Sequence, residues 1–128
     1  MLTPHNPMDV RPPPSLISQG IEVAPDARWL YISGQIAVRS DGTAIEGTEA
    51  QMEDVWEKIL RVLESAGMGY QNLVKISVFL TREEDILMFR KVRARVLGGS
   101  KPAATLLIVK GLARPDLLVE IEAIAAAA

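Results

Sequence analysis

The sequence predicts an α+β layer fold in which two helices cover one face of a mixed β-sheet. Runs rich in β-branched residues alternate with two amphipathic segments, in the order strands, helix, strand, helix, strands. The last strand has one wholly apolar face, which requires a covering layer. A length of 128 residues suits one domain with its own hydrophobic core.

The first segment, residues 1–14, contains five of the eight prolines and the only histidine, His5. This composition predicts a flexible, extended lead without a packed element, so we place the single domain at residues 15–128. His5 has no accompanying cluster of Cys, Asp or Glu, so we expect no metal site. Residues 17–23 and 28–38 then read as two strands, which we expect to pair with each other.

The first helix is predicted from a capping pattern and an apolar stripe. Thr48 and Gln51 form the pattern of a capping box, and apolar residues follow at helical spacing as far as Gly67, a typical helix end. Trp56 belongs to this stripe. Its spacing assigns the indole to the core.

The second helix follows a strand predicted at residues 74–80. Thr81 and Glu84 form another capping-box pattern, and a double glycine ends the helix. Arg90 and Arg93 border the apolar stripe of this helix. Two interpretations stay open: the stems pack while the charged groups reach water, or the guanidiniums line a pocket.

The C-terminal stretch reads as a β-hairpin with strands at residues 105–110 and 117–125. Glu120 and Glu122 point to one face of the second strand, about 7 Å apart at two-residue spacing. This face is either an ordinary solvated one or is partly covered by a partner subunit. In the second case a carboxylate would lie beside a cavity, where it can act as acid, base or water-orienting group.

The charge balance argues against nucleic acid as a partner. Lys and Arg number 14 against 16 Asp and Glu, which gives a net charge of -2 and no broad basic surface. The chain contains no cysteine, which is compatible with a reducing compartment. It shows neither a signal segment nor an apolar run of about 18 residues. We therefore expect a cytoplasmic protein that does not bind membranes.

Four stretches together resemble the Rid family of reactive-intermediate deaminases, also called the YjgF family and, in older usage, L-PSP endoribonucleases. They are SQG at 18–20, ISGQI at 32–36, AGMGYQNLVKISVFLT at 66–81 and VEIEAIA at 119–125. The resemblance implies a chorismate-mutase-like fold assembled as a homotrimer, with three small-molecule pockets between neighbouring subunits. It implies no cofactor.

The resemblance also implies a set of site residues. Gly34 matches the family glycine whose backbone amide contacts ligands, and Glu120 matches the acid that positions the hydrolytic water. Ala104 replaces the Arg that grips the substrate carboxylate. The remaining implied pocket positions are Ile17 in place of Tyr, Arg90 in place of Asn, Thr105 in place of Ser, and Leu106 in place of Cys.

In the family, water attacks the carbon of a small imine such as 2-iminobutanoate or 2-iminopropanoate, and ammonia leaves. Alanine at position 104 cannot make the charge-assisted contact of an arginine, so we expect altered activity. One class of function is a deaminase or hydrolase of imine, enamine or carbonyl metabolites. The other is a non-catalytic module that binds small molecules or proteins. A ribonuclease is the weakest alternative, because the chain lacks a basic, aromatic-rich stripe.

We further expect the ligand to carry a carboxylate and Arg90 to supply part of the missing anion contact. A guanidinium in a pocket needs an anion, because arginine stays charged at physiological pH. In the empty protein, Glu120 is its expected partner.

Overall fold

The computed structural model describes residues 1–10 and 17–128, in which two helices pack on one face of a four-stranded mixed sheet. The strands and helices are β1 (Leu2–His5), β2 (Gly20–Val23), β3 (Arg28–Ile36), α1 (Thr48–Ser65), β4 (Leu73–Leu80), α2 (Ile86–Leu97), β5 (Ala103–Ile108) and β6 (Val119–Ala127). The sheet order is β3-β6-β4-β5, and its β4–β5 pair is parallel. The predicted α+β class, with both helices on one face, is confirmed.

The predicted C-terminal hairpin is wrong, because β4 lies between β5 and β6. Ile76 of β4 pairs with Ala104 of β5 on one side and with Ala123 of β6 on the other. Ten residues connect β5 to β6, whereas hairpin loops usually have about two to five. The longer connection carries the chain across β4, so that β6 lies between β3 and β4. The apolar face of β6 is buried against the helix layer.

The predicted pairing of the first two strands is also wrong. β2 pairs with β1 in a separate two-stranded antiparallel sheet, with Leu2 opposite Val23, and β3 pairs with β6. The N-terminal segment therefore contains a strand, contrary to the expectation drawn from its prolines. Both strands of such a ribbon are edges, and an edge strand tolerates a proline such as Pro4. Residues 11–14 of the predicted lead lie outside the described residues, and the domain boundary at residue 15 stays a prediction.

The first helix begins where predicted, but the capping box is absent. No side chain caps its N-terminus. The Gln51 side-chain amide is buried, and its Nε2 donates to the carbonyls of Ile45 and Asp116, both at 2.9 Å. Its Oε1 accepts from the amide of Leu118 at 2.8 Å. Gln51 therefore fastens the β5–β6 connection to the start of α1.

The second predicted capping box is absent as well. The helix α2 follows Asp85, whose carboxylate accepts hydrogen bonds from Nε and Nη2 of Arg82 at 2.8 and 2.9 Å. The predicted glycine ends of both helices are confirmed, because Gly67 and Gly98 have φ angles of 70° and 57°.

The hydrophobic core lies between the helices and the sheet. Its β6 residues are Val119, Ile121, Ala123 and Ala125, the apolar face expected from the sequence. Trp56 is fully buried, as predicted. Its ring stacks on Phe89 with centroids 6.3 Å apart and meets Tyr70 edge-on at 6.0 Å. Trp56 thus joins α1 to α2 within the core.

Candidate functional site

The face of the main sheet opposite the helices carries the two carboxylates of β6. It also presents large exposed side chains, because Tyr31 is 73 % exposed and Leu107 is 50 % exposed. Glu120 is partly buried and Glu122 is exposed. A sheet face with this mixture of apolar and acidic groups differs from an ordinary polar surface.

A β-bulge shapes this face beside Glu120. The strands β3 and β6 pair in register up to Ile32 and resume at Gln35, so two residues of β3 lie opposite one residue of β6. Bulges bend a strand, redirect its side chains and occur often beside functional sites. Gly34 is one of the two residues of this bulge, and its backbone lies against the side chain of Glu120.

The carboxylate of Glu120 occupies the space that a side chain at position 34 would need. A β-carbon added to Gly34 would lie 2.9 Å from Cδ of Glu120 and closer still to its Oε2. Within the part of the chain that the structure describes, the carboxylate of Glu120 has no hydrogen-bond or ion-pair partner. Its lone pairs are therefore available to a water molecule or a ligand.

A shallow hollow of about 360 Å³ lies next to this carboxylate. It is lined by Glu120, Glu122, Phe79 and residues of the β5–β6 connection, among them Leu112. This volume falls near the lower end of the range of about 300–1,000 Å³ that is typical of small-molecule pockets. The hollow combines apolar walls with two acidic groups.

A second hollow, of about 260 Å³, lies on the other side of Glu122 and includes Lys75 and Ser77 in its lining. Nζ of Lys75 donates to Oγ1 of Thr105 at 2.8 Å. Thr105, a predicted pocket residue, therefore lies on the same face as the carboxylates.

Other predicted pocket residues lie elsewhere. Ala104 and Leu106 of β5 pack against the core on the helix side of the sheet. Ile17 is partly buried and precedes Ser18, which forms a β-bridge with Ala103 at the start of β5. The structure thus brings Gly34 and Glu120 together, and within one chain it keeps Ala104 and Leu106 on the other side of the sheet.

The two arginines of α2 differ in their environment. Arg90 is exposed, whereas Arg93 is only 8 % exposed, with its guanidinium carbon 5.6 Å from the ring centroid of Phe89. Burial, and then the charge of Arg90, lower the pKa of Arg93 below its usual value. The expected ion pair between Arg90 and Glu120 does not form within the chain, because α2 and the carboxylate lie on opposite sides of the sheet.

The sequence did not single out Arg93 from Arg90. A signal was present, because Arg93 lies four residues after Phe89 and four before Leu97, both of which are buried. That spacing places it in the middle of the buried face of the helix.

The family model described as Endoribonuclease L-PSP matches residues 16–127 of this chain. The chain belongs to the YjgF/Rid family. A RutC family protein of Pyrococcus horikoshii is 36 % identical over 99 residues, which cover 76 % of this chain and 78 % of that protein. The mitochondrial protein mmf1 of Schizosaccharomyces pombe is also 36 % identical over 99 residues, which cover 75 % of this chain and 60 % of that protein.

Solved structures of Rid proteins share the fold. The protein YyfB of unknown function, a member of the conserved Rid family from Yersinia pestis, superposes with a TM-score of 0.86 at 27 % identity and 98 % coverage of both chains. RidA from an Antarctic Psychrobacter species has a TM-score of 0.73 at 33 % identity, with coverage of 84 % of this chain and 85 % of that one. The family membership expected from the four sequence stretches is confirmed.

Neither helix of this Rid family member, within residues 1–10 and 17–128, is both long and apolar enough to cross a membrane. The same residues hold no group of three His, Cys, Asp or Glu arranged to bind a metal ion. The relative from Schizosaccharomyces pombe is named as mitochondrial, so family membership does not fix the compartment. The cytoplasm stays an expectation from the sequence.

Proposed function

We propose that this protein is a trimeric Rid enzyme that hydrolyses a small imine, enamine or carbonyl compound in a pocket between subunits. The observation that carries the proposal is the contact between Gly34 and Glu120. An unpaired, partly buried carboxylate lies against a backbone without a side chain, next to a hollow of about 360 Å³.

Glu120 orients the attacking water in the proposed reaction. Its carboxylate accepts a hydrogen bond from the water, whose oxygen attacks the electrophilic carbon of the imine. The carboxylate takes one proton from the attacking water and delivers it to the nitrogen, which gives a carbinolamine. It then takes the remaining hydroxyl proton and passes it to the nitrogen, the C–N bond breaks, ammonia leaves and the carbonyl forms. Gly34 permits this geometry, because only a residue without a β-carbon leaves room for both the carboxylate and a ligand near the backbone.

A second copy of the chain supplies the rest of the proposed pocket. Ile17, Arg90, Ala104 and Leu106 are proposed to line it from the neighbouring subunit. Two features support this arrangement: the sheet separates Ala104 and Leu106 from Glu120 within one chain, and the face with Glu120 exposes large apolar side chains. A contact between two different surfaces closes into a ring when its rotation permits, and a trimer is the ring that the family resemblance implies.

We expect the protein to be a homotrimer in solution, because the proposed pocket is incomplete in one chain. Size exclusion coupled to light scattering should give a mass near three times the 14.0 kDa of the monomer. A mass near that of one chain at micromolar concentration would remove the pocket between subunits. Tyr31→Glu, which places a charge on the exposed face, should shift the mass toward the monomer, and Leu87→Glu on α2 provides a control on an exposed apolar residue.

The catalytic proposal is tested by release of ammonia from imines generated in the assay. Replacing Glu120 by Gln keeps the size of the side chain but removes its capacity to take up a proton, so hydrolysis should fall to the uncatalysed background. Gly34→Ala should have a similar effect, because its β-carbon displaces the carboxylate. Adding Gly34→Ala to Glu120→Gln should then cost nothing further. Unchanged turnover in Glu120→Gln would contradict the catalytic role proposed for the Glu120 carboxylate.

A non-catalytic binding module is the second candidate function. The observation in its favour is Ala104, which cannot grip a carboxylate as the arginine of the family does. Binding of small carboxylates without any hydrolysis would favour this candidate. The ribonuclease named in the family description has less support, because Glu120 and Glu122 would repel the phosphates of RNA.

A further inference from the structure

Arg93 is a buried cation without a counter-ion. It is 8 % exposed, its Nε is sealed from solvent without a hydrogen bond, and none of the ion pairs among the described residues includes it. A buried charge of this kind is strongly destabilising unless an anion or hydrogen-bond acceptor compensates it.

The acidic groups near α2 are engaged elsewhere. Arg95, on the same helix, forms ion pairs with Glu49 at 3.4 Å and with Glu53 at 3.2 Å. Asp85, immediately before the helix, pairs with Arg82. The helix itself contains no acidic residue. The described residues therefore offer Arg93 no carboxylate partner, while Arg90 adds a second positive charge nearby.

We propose that Arg93 binds the carboxylate of a small monoanionic ligand, with Phe89 as the wall on which its guanidinium lies. This inference rests on the proposed function and deepens it, because it assigns the anion contact of the pocket to the buried Arg93 rather than to the exposed Arg90. The anion site then lies on the helix side of the sheet, on the same side as Ala104.

The environment of Arg93 selects the kind of anion. A planar carboxylate matches the paired nitrogens of a guanidinium and can form two parallel hydrogen bonds. Its guanidinium lies over the ring of Phe89, and the other buried residues of the helix, Val92 and Leu97, are apolar. Apolar neighbours make removal of water from a dianion such as phosphate costly, whereas a monocarboxylate with a short alkyl group loses less hydration.

The test is calorimetric titration of butanoate, which cannot be hydrolysed, into three proteins. Wild type should bind butanoate, and Arg93→Met should bind it at least about tenfold more weakly, since a charge-assisted contact is lost. Arg95→Met is the matched control, because it removes the same charge from a residue that already has acidic partners. It should bind like wild type. Inorganic phosphate should bind more weakly than butanoate.

Arg93→Met should remain folded, because methionine fills a similar volume without a charge. Its melting temperature in the absence of ligand should rise by a few degrees, about 3–6 °C. A protein that is more stable yet binds butanoate poorly would show that the arginine serves binding and not folding.

Several outcomes would overturn the proposal. They are equal binding of butanoate by wild type and Arg93→Met, no binding by wild type, and preference for phosphate. A further one is a loss of the oligomer in Arg93→Met without loss of butanoate binding, since the anion would then be an acidic side chain of a second copy. Glu120→Gln separates this inference from the proposed function, because it should abolish hydrolysis but retain butanoate binding. If wild type binds butanoate through Arg93 but hydrolyses no imine, the proposed anion site is supported and the proposed enzymatic activity is contradicted.

Discussion

Hydrolysis of 2-aminoacrylate by this protein should be about 100-fold slower than by a family member with arginine at the position of Ala104, because a lost transition-state contact of ~3 kcal/mol has that effect. In the structure Ala104 packs against the core, and its methyl group cannot make the contact that an arginine at this position would make. Arg93 holds the proposed ligand from a different element, so the reacting carbon would be displaced from the water on Glu120. The deficit should therefore appear in kcat more than in KM.

A coupled assay that follows the 2-oxo acid formed from free imine measures this rate for both proteins. Comparable rates would show that Ala104 does not limit the reaction. Restoring the arginine by Ala104→Arg alone should recover little activity, because the new guanidinium would share the helix side of the sheet with Arg93. The double variant Ala104→Arg with Arg93→Met should recover more, since only one buried cation then remains.

Trp56→Ala should reduce the free energy of unfolding by about 3–5 kcal/mol, the usual cost of removing a fully buried aromatic side chain. Trp56 is fully buried, stacks on Phe89 and meets Tyr70 edge-on, and its carbonyl accepts a hydrogen bond from the Tyr70 hydroxyl at 2.7 Å. Urea denaturation followed by circular dichroism gives the value. Leu87→Ala is the control and should change stability by less than about 1 kcal/mol, because its side chain is 75 % exposed.

Trp56 also supports the residues proposed to bind the anion. Phe89 contacts both the ring of Trp56 and the guanidinium of Arg93. A milder change, Trp56→Phe, should keep the protein folded and weaken butanoate binding by a few-fold, because Phe89 loses part of its packing. If Trp56→Ala lowers the free energy of unfolding by about 3–5 kcal/mol as expected but Trp56→Phe binds butanoate as wild type does, then Trp56 stabilises the core and does not support the anion site.

The sequence predicted those features of the fold that depend on neighbouring residues. The burial of Trp56, the apolar face of β6 and the glycine ends of both helices all follow from local spacing or from backbone angles that glycine adopts readily. The order of the strands does not follow, because alternation along a strand states which face is buried but not which strand lies beside it. The hairpin prediction failed for that reason.

The capping boxes failed for a different reason. The pattern at Thr48 and Gln51 describes local hydrogen bonds, yet the amide of Gln51 finds acceptors 65 residues away at Asp116. Hydrogen bonds to buried backbone groups stabilise more than bonds to a solvated helix end, so tertiary structure overrides the local pattern. No window of neighbouring residues contains this information.

The residues of the candidate site were also only partly predictable from the sequence. Resemblance to a family indicated Gly34 and Glu120 as site residues, but a pattern in one strand could not reveal that a bulge in β3 brings them into contact. Arg90 and Arg93 both border the apolar stripe in sequence. The spacing of Arg93 from Phe89 and Leu97 is the signal that distinguishes the two, and the structure confirms that Arg93 is the buried one.

The place of β6 in the sheet has a consequence for synthesis of the protein. Among the strands that the structure describes, β6 is the last in chain order, yet it is the one that joins β3 to the parallel pair of β4 and β5. A nascent chain that has completed β5 but not β6 therefore holds β3 as a single strand and β4–β5 as a separate pair, each with an unpaired edge. Such edges invite association with other chains. Chaperone demand during translation should therefore persist until β6 is made and then end abruptly, rather than decline strand by strand.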